Sequence, residues 1–170
     1  IEVLITMGLV HVAGEISTDA YADIPTIVRN TLIEIGYTKP EYGFDGYTAG
    51  VITTINDQSP EIALGLPSDR AGDSCIVVGY ATNETENYMP LASNVANEIT
   101  QKLNSLRKDG TLPFLRPDGK ALVSVEYENE KPIRIKNIAV MVQHEPYISE
   151  KDLKEAIIEE VVKKIKYNHY

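Results

Sequence analysis

The first half of the chain contains two segments with the side-chain pattern of β-strands. Residues 2–15 and 47–55 are rich in apolar and β-branched side chains, a composition that is typical of strands. A polar turn over residues 56–60, with the sequence NDQSP, ends the second segment. The pattern therefore predicts one strand near the start of the chain and another after residue 46.

Between these two segments, the spacing of apolar residues becomes helical. Asp23 offers a side chain that can cap a helix, and Pro25 fits the first helical turn. Apolar residues then recur every three or four positions until Gly36, a residue that favours the end of a helix. The sequence predicts a helix over residues 24–35, and hence a β-α-β unit in the first half.

The second half repeats the change from strand pattern to helix pattern. Residues 75–80, with the sequence CIVVGY, predict a short strand, and residues 88–106 predict a helix. The predicted apolar stripe of this helix consists of Leu91, Val95, Ile99, Lys102 and Leu106. The next segment, TLPFLRPDGK over residues 111–120, contains two prolines and favours a loop.

The remainder of the chain predicts a hairpin and a last helix. Residues 121–144 alternate between apolar and polar side chains, with a turn predicted at residues 128–132. Ser149 and Asp152 have the residue types of a capping box, so a helix is predicted to begin at Ser149. Its predicted buried row is Leu153, Ile157, Val161 and Ile165.

These elements predict an α+β fold of two β-α-β type units, with mixed or antiparallel sheets and helices packed on one face. The segment LGLPSDRAG, residues 64–72, has turn-forming residues and no periodicity, which indicates a linker. We therefore predict two domains, one over residues 1–66 and one over residues 67–170.

The charge of the chain excludes one broad class of function. The 170 residues carry a formal net charge of −9, with 43% hydrophobic and 24% charged residues. This composition is that of a globular protein, and the negative charge would repel a phosphate backbone. Nucleic acid is therefore not an expected partner. No apolar run reaches the length of a membrane span, so no membrane is expected either.

A single cysteine, Cys75, favours a cytoplasmic location. One cysteine cannot form an intrachain disulfide, and the start IEVLITMG lacks the basic region of a secretory signal. Cys75 is interpreted as a small apolar residue that opens a buried strand. The three histidines offer no catalytic triad: His11 is interpreted as a packed or edge residue, and His169 as part of a tail.

The stretch RAGDSCIVVGYATNETENYMPLAS, residues 70–93, leaves two interpretations open. A turn of small residues before a strand brings backbone amides close to whatever lies above it, which suits a polar or anionic ligand. The same pattern is also that of a buried strand between two loops.

Several long segments resemble one enzyme family. In chain order they are GLVHVAGEISTDAYADIPTIVRNTLIEIGY, FDGYTAGVITTINDQSPEIA, GYATNETENYMPLA and RKDGTLPFLRPDGKALVSVEYENEKPIRIKN. Together they resemble S-adenosylmethionine synthetase (methionine adenosyltransferase), over nearly the whole chain. The resemblance assigns residues 1–66 to part of the amino-terminal domain and residues 67–170 to part of the central domain.

The resemblance implies an activity, cofactors and an assembly. The family joins methionine to the adenosyl group of ATP to form S-adenosylmethionine, and it then hydrolyses the tripolyphosphate with the help of Mg²⁺ and K⁺. It also implies three repeated α+β domains per subunit and an active site shared between two subunits. ATP, methionine and S-adenosylmethionine are thus the expected ligands, and a homo-oligomer through sheet faces is the expected assembly.

Three residues match family positions that face methionine. They are Glu15 in AGEIS, Gln58 in DQSPE and Asp73 in AGD. A carboxylate can hold an ammonium group through a charge-assisted hydrogen bond, and an amide can both donate and accept. From the residues alone, the pattern favours Gln58 as a plain turn residue before a proline. Compared with the family motif GAGDQG, Arg70 replaces a glycine, Ser74 the glutamine and Cys75 the last glycine, so a segment built for close backbone approach carries side chains here.

Three matches concern the nucleotide and a metal ion. Asp118 in RPDGK matches a residue near the ATP ribose, and Lys120 matches the family lysine near the reacting oxygen, where it would be a catalytic residue. Without the resemblance, PDGK is a turn. Glu2 matches a glutamate that helps to hold K⁺, and without the resemblance it is a solvated strand end.

Other family segments have no counterpart in these 170 residues. The HPDK segment would precede Ile1, and the GRFVIGGP region and the basic cluster after it would follow Tyr170. Because a departing polyphosphate needs many positive charges, we expect the chain to be inactive or nearly so by itself. The alternative is a catalytically dead binding or structural fragment, natural or engineered, that self-associates or pairs with a synthetase subunit.

Overall fold

The computed structural model describes residues 1–64 and 76–167. The chain divides into two compact units, Ile1–Val77 and Val78–Tyr170, here called unit 1 and unit 2. One unit contains a mixed sheet and the other an antiparallel hairpin, each accompanied by helices, which confirms the predicted α+β class. The domain boundary between residues 66 and 67 lies outside the described residues and stays a prediction. Within those residues, no helix combines the length and apolar character required to cross a membrane.

Unit 1 is built on a three-stranded sheet. Its strands are β1 (Glu2–Thr6), β2 (Leu9–Glu15) and β3 (Gly50–Asn56), in the order β1-β2-β3. β1 and β2 are antiparallel, whereas β2 and β3 are parallel. The prediction of one strand over residues 2–15 is wrong, because the chain reverses between β1 and β2. Gly8, with φ of 77°, allows this tight turn.

Helix α1 (Ile24–Ile35) lies between β2 and β3 in the chain and confirms the predicted helix. Asp23 caps it, since its Oδ1 accepts a hydrogen bond of 3.2 Å from the Thr26 N–H. Gly36, with φ of 119°, ends it in the left-handed conformation. A single helical turn, α2 (Pro60–Ala63), follows β3. The buried apolar residues of this unit are Val10, Val12, Leu32 and Ala49.

A buried aspartate shapes the turn before β3. Asp45 is 1% exposed, and its Oδ1 accepts hydrogen bonds from the backbone N–H groups of Tyr47 (2.8 Å) and Thr48 (3.0 Å). The Thr48 hydroxyl also donates to Asp45, which lowers the pKa of the carboxyl group despite the opposing effect of burial. This turn occupies residues that were predicted as strand, so β3 begins at Gly50 and not at residue 47.

The predicted strand over residues 75–80 is wrong for its described part. Residues 76–80 are irregular, and Ile76, Val77 and Val78 are 95%, 85% and 89% exposed. No described strand lies beside this segment, so its backbone has no ladder to join. High β-propensity alone does not make a strand, because a strand needs a neighbour. Cys75 itself lies outside the described residues.

Unit 2 consists of a long hairpin and two helices. Its elements are α3 (Leu91–Lys108), β4 (Leu115–Glu128), β5 (Lys131–His144) and α4 (Glu150–Glu160). The hairpin is confirmed, and its turn contains Asn129 and Glu130, both with positive φ. The predicted loop over residues 111–120 is wrong from Leu115 onward, because the strand accommodates the proline and the glycine in an irregular stretch of the pairing.

The core of unit 2 is larger than that of unit 1. It buries Leu91, Val95, Ile99, Leu103, Leu112, Leu115, Ile157, Val161, Ile165 and Tyr167. In α3, Leu103 is buried where the predicted stripe had Lys102, and Leu106 is partly buried against the same core as predicted. The predicted cap of α4 is confirmed, since the Ser149 hydroxyl oxygen accepts a hydrogen bond of 3.1 Å from the Asp152 N–H.

A side-chain network connects the start of α3 to the far end of β4. Glu84 Oε2 accepts hydrogen bonds from the Leu91 N–H (2.8 Å) and from the Tyr127 hydroxyl (2.7 Å). Burial raises the pKa of Glu84, but these bonds and one from Thr82 outweigh it, so the net pKa is below its usual value. Burial, together with the Glu84 carboxylate, raises the pKa of Tyr127 to about 12.

Candidate functional site

One end of the sheet in unit 1 gathers three of the candidate residues. Because β2 and β3 are parallel, their carboxyl ends lie together, and Glu15 pairs with Asn56 at the last position of the ladder. The antiparallel β1 begins at the same end, where Glu2 pairs with Ala13. Gln58 follows β3 by two residues, so Glu2, Glu15 and Gln58 share this end of the sheet.

Two hydrogen bonds fix the chain just beyond this end. The Ile16 N–H donates to the Asn56 carbonyl at 2.9 Å, which extends the pairing by one step. The Gln58 N–H donates to the Ser17 hydroxyl at 3.2 Å. Gln58 is half-buried and Glu15 is exposed, so a ligand can reach the carboxylate while the backbone around the amide stays held.

Asp118 and Lys120 lie two residues apart on β4 of unit 2. Both side chains are exposed, whereas Gly119 between them faces α3, since a β-carbon there would lie 3.7 Å from Leu103 Cδ1. Because a bulge ends at Asp118, the alternation of a regular strand does not fix its side chain on the face of Lys120, but both charged groups are exposed and close together in the chain. An acceptor and a cation side by side suit a ligand that carries both hydroxyl groups and negative charge.

The backbone at Asp118 bulges out of the ladder. Leu115 pairs with His144 and Gly119 pairs with Val142, so three residues of β4 face only Gln143 of β5. Asp118 is the last of these three residues. Because of the bulge, its side chain does not follow the regular alternation of side chains between the two faces of a strand. A small cavity of about 50 Å³ lies beside the bulge, lined by this part of β4 and by α3.

Asp73 lies outside the described residues, as does the turn that precedes it, so its proposed role stays a prediction. The buried-strand interpretation of the surrounding stretch is wrong where the structure describes it, because residues 76–80 are exposed. The ligand interpretation concerns residues 70–74, none of which the structure describes.

A much larger cavity than the one at the bulge lies elsewhere. It has a volume of about 570 Å³ and is an open groove between β5 and α4, lined mainly by apolar side chains that include Ile138, Val140 and Ile157. None of the candidate site residues lines it. We therefore base the site on the placement of polar side chains and not on cavity size.

Comparison with protein families identifies both halves of the chain. The family model for the amino-terminal domain of S-adenosylmethionine synthetase matches residues 1–60, and that for its central domain matches residues 68–170. The second match alone covers more than half of the chain. The chain belongs to the S-adenosylmethionine synthetase family.

Individual members of the family support the same conclusion. The chain is 51% identical to the S-adenosylmethionine synthase of Aquifex aeolicus over 164 residues, which are 96% of this chain and 44% of that protein. It is 48% identical to the enzyme of the same name from Thermus thermophilus, over 95% of this chain and 45% of that protein. The chain therefore spans less than half the length of these synthases.

The described residues offer few of the ligands that the metal ions implied for the synthetase family would need. Within residues 1–64 and 76–167, no three His, Cys, Asp or Glu side chains are arranged to hold a metal ion. Mg²⁺ requires a near-octahedral set of oxygen ligands, which these residues do not provide by themselves. Glu2 could supply one carboxylate to K⁺, and the remaining oxygen ligands would have to come from other groups.

Sequence reasoning missed one polar contact beside the nucleotide candidates. Arg116 Nη2 lies 2.9 Å from Glu145 Oε2, and the two residues are 29 positions apart in the chain. Arg116 is the first residue of the RPDGK segment that the sequence analysis singled out. Its contact with Glu145 could not be predicted from the sequence, because it depends on the pairing of β4 with β5 and on the bulge in β4.

Proposed function

We propose that this chain supplies methionine contacts from unit 1 and nucleotide contacts from unit 2 to synthetase active sites that make S-adenosylmethionine. In the reaction, the methionine sulfur bonds to C5′ of ATP as the bond from C5′ to the triphosphate oxygen breaks. The tripolyphosphate that leaves is then hydrolysed. The observation that carries the proposal is the placement of Glu15 and Gln58 at the joined ends of β2 and β3.

At this end of unit 1, each residue has a defined role. The Glu15 carboxylate accepts hydrogen bonds from the methionine ammonium group, and the Gln58 amide bonds the amino or carboxyl group. Asp73 is proposed as a further contact to methionine. Glu2 contributes one oxygen to K⁺. The acidic character of this unit favours a cationic ammonium group over a free anion.

In unit 2, the roles concern the nucleotide. Asp118 accepts hydrogen bonds from the ribose hydroxyls, and Lys120 stabilises the negative charge that develops as the triphosphate leaves. Lys120 is the one cation that this proposal places next to the reacting oxygen. We therefore expect the 170 residues alone to form S-adenosylmethionine very slowly or not at all, because phosphoryl groups require several cations.

Titration calorimetry on the 170-residue chain tests the proposal. Methionine, ATP and S-adenosylmethionine are titrated separately into the wild type and into Glu15→Gln, with Glu34→Gln as the matched control on α1. Glu15→Gln should weaken methionine binding about tenfold, since it removes a charge-assisted bond, and leave ATP binding unchanged. Equal methionine affinity in the wild type and in Glu15→Gln would contradict the proposal, as would the absence of binding to all three ligands.

The binding-module alternative is favoured by one observation. The apolar residues of β1 are open to solvent: Val3, Leu4 and Ile5 are 57%, 65% and 55% exposed. Neighbouring residues of a strand point to opposite faces, and Leu4 shares its face with Ile52, which is 48% exposed, because Leu4 pairs with His11 and His11 with Ile52. A second copy laid on that face would cover Leu4 and Ile52, which supports self-association through sheet faces. Sedimentation equilibrium of the wild type and of Leu4→Lys tests this alternative. A dimer that the substitution dissociates supports it, and a wild type that stays monomeric at all concentrations contradicts it.

A further inference from the structure

Arg116 and Glu145 form the most enclosed ion pair of the β4–β5 hairpin. Their side chains are 13% and 22% exposed, with 2.9 Å between Arg116 Nη2 and Glu145 Oε2. The Arg134–Glu126 pair of the same hairpin is also close, at 2.7 Å, but its side chains are 62% and 37% exposed. Water competes less with the enclosed pair, so breaking it should disturb the local structure more.

The enclosed pair lies at one end of the bulge that carries Asp118. The Glu145 N–H donates to the Phe114 carbonyl at 2.8 Å, and the Glu145 side chain binds Arg116 two residues further along β4. Glu145 thus holds the chain on both sides of Leu115. At the other end of the bulge, Gly119 pairs with Val142. The residues between these anchors, which include Asp118, are therefore fixed at both ends.

We infer that Arg116 and Glu145 are positioning residues that hold Asp118 in the direction needed for the nucleotide. The inference rests on the proposed contact between Asp118 and the ribose. Arg116 is not itself offered as a phosphate ligand, because its guanidinium is largely enclosed and already bound to a carboxylate. Its planar fork gives the pair a fixed orientation, which a lysine in its place would not reproduce.

The test compares two broken pairs in the 170-residue chain. Glu145→Gln removes the charge of the enclosed pair while keeping its shape, and Glu126→Gln does the same to the exposed pair. Asp118→Asn reports on the proposed ribose contact itself. The double variant Arg116→Glu, Glu145→Arg restores a pair with reversed charges. For each variant, calorimetry gives the dissociation constants for ATP and methionine, and NMR gives the amide hydrogen exchange rates of residues 118–120.

The inference predicts a selective loss. Glu145→Gln should weaken ATP binding about tenfold, leave methionine binding unchanged and speed exchange at residues 118–120 by a similar factor. The double variant should recover part of both effects, and Glu126→Gln should change neither. A fold that is lost altogether would instead appear as a general loss of amide protection.

Two results would overturn it, and they differ from a failure of the proposed function. If Asp118→Asn weakens ATP binding but Glu145→Gln does not, the positioning role is wrong. If the wild type does not bind ATP, or if Asp118→Asn binds it as tightly as the wild type, the proposed contact between Asp118 and the ribose is wrong. The exchange rates of residues 118–120 then decide whether the ion pair holds the bulge. Unchanged rates in Glu145→Gln would mean that the ion pair does not hold the bulge.

Discussion

The two units differ in charge and in the size of their cores. Residues 1–64 of unit 1 contain nine acidic side chains but only two basic ones, Arg29 and Lys39, whereas residues 78–167 of unit 2 contain fourteen acidic and thirteen basic side chains. Among the described residues, unit 1 buries four apolar residues in its core and unit 2 buries ten. The difference in charge bears on ligands: an acidic unit attracts cations, while a balanced unit can offer lysine to an anion.

The comparison also separates two ways of building a sheet. In unit 1, β2 has a neighbour on each side, and the outer strands β1 and β3 carry exposed apolar residues such as Leu4 and Ile52. In unit 2, the described sheet has only two strands, and the groove between β5 and α4 is lined with apolar side chains. Because a two-stranded hairpin is marginal by itself, its stability must come from α3 and α4 packed against it.

The largest expected effect follows from the core of unit 2. Ile99 is fully buried in α3, so Ile99→Ala should lower the free energy of unfolding of unit 2 by about 3 to 4 kcal/mol. Chemical denaturation with residue-specific hydrogen exchange measures the loss in each unit. Leu122→Ala, at a site that is 60% exposed, is the control and should cost far less. Equal losses in the two variants would mean that α3 does not hold the hairpin.

A smaller effect is expected in unit 1 at Gly46. A β-carbon there would lie 2.7 Å from Ile33 Cγ1 and 2.8 Å from the Arg29 carbonyl oxygen. Gly46→Ala must push the turn away from α1, which should destabilise unit 1 by about 2 kcal/mol and leave unit 2 unchanged. Thermal unfolding followed by NMR for each unit measures this. Gly79→Ala, where a β-carbon meets nothing within 4 Å, is the control, and a matching loss there would refute the steric explanation.

In unit 2, the bond between Tyr127 and Glu84 should be worth less. Tyr127→Phe removes a hydrogen bond of 2.7 Å and should cost about 1 kcal/mol, measured by urea denaturation near neutral pH. Tyr147→Phe is the matched control, since it removes a hydroxyl group from a residue that is 71% exposed. No difference between the two variants would show that the hydroxyl does not stabilise the start of α3.

The same pair predicts how stability depends on pH. The pKa of Tyr127 is raised to about 12 in the folded chain, so its contribution is complete below the ordinary tyrosine pKa and is lost as pH rises through 12. The pKa of Glu84 is lowered, so its contribution is present above the ordinary glutamate pKa and is lost as pH falls through the folded value. Tyr127→Phe should reduce both losses, and part of the alkaline loss should remain because the bond to Glu86 also raises the pKa of Lys166. Urea denaturation of the wild type and of Tyr127→Phe at a series of pH values measures both losses. Identical pH dependence in the two proteins would contradict the prediction.

The smallest effect is expected from a surface ion pair of α4. Lys151 Nζ lies 3.9 Å from Glu155 Oε1, and the side chains are 82% and 64% exposed. Lys151→Gln should change the free energy of unfolding by about 0.3 kcal/mol, because water and salt screen the pair. A loss above about 1 kcal/mol in the same denaturation assay would show that exposed charges matter more here than these accessibilities imply.

The parts of the fold that the sequence predicted are those with local signals. Asp23 and Gly36 enclose α1, and Ser149 starts α4, because caps depend on residues a few positions apart. The strand predicted over residues 75–80 failed because strand formation depends on a neighbour that local sequence does not reveal. The split of residues 2–15 into two strands rests on one glycine, a signal that was present but was not used.

The candidate site shows the same division. Glu15, Gln58, Asp118 and Lys120 were assigned from family resemblance, and the structure adds which ends of strands they occupy. The grouping of Glu15 and Gln58 at the end of β2 and β3 depends on a parallel pairing between strands that lie far apart in the chain. The contact of Arg116 with Glu145 likewise required the register of the hairpin. Pairings between distant positions are what residue patterns leave open.

The most direct test of the division between the units is a pair of NMR titrations on the isotope-labelled 170-residue chain. Methionine and ATP are added separately, and amide shifts are followed for both units. The account predicts that methionine shifts the amides around Glu15 and Gln58, and that ATP shifts those of residues 116–120. Methionine shifts confined to unit 2, or ATP shifts confined to unit 1, would contradict it.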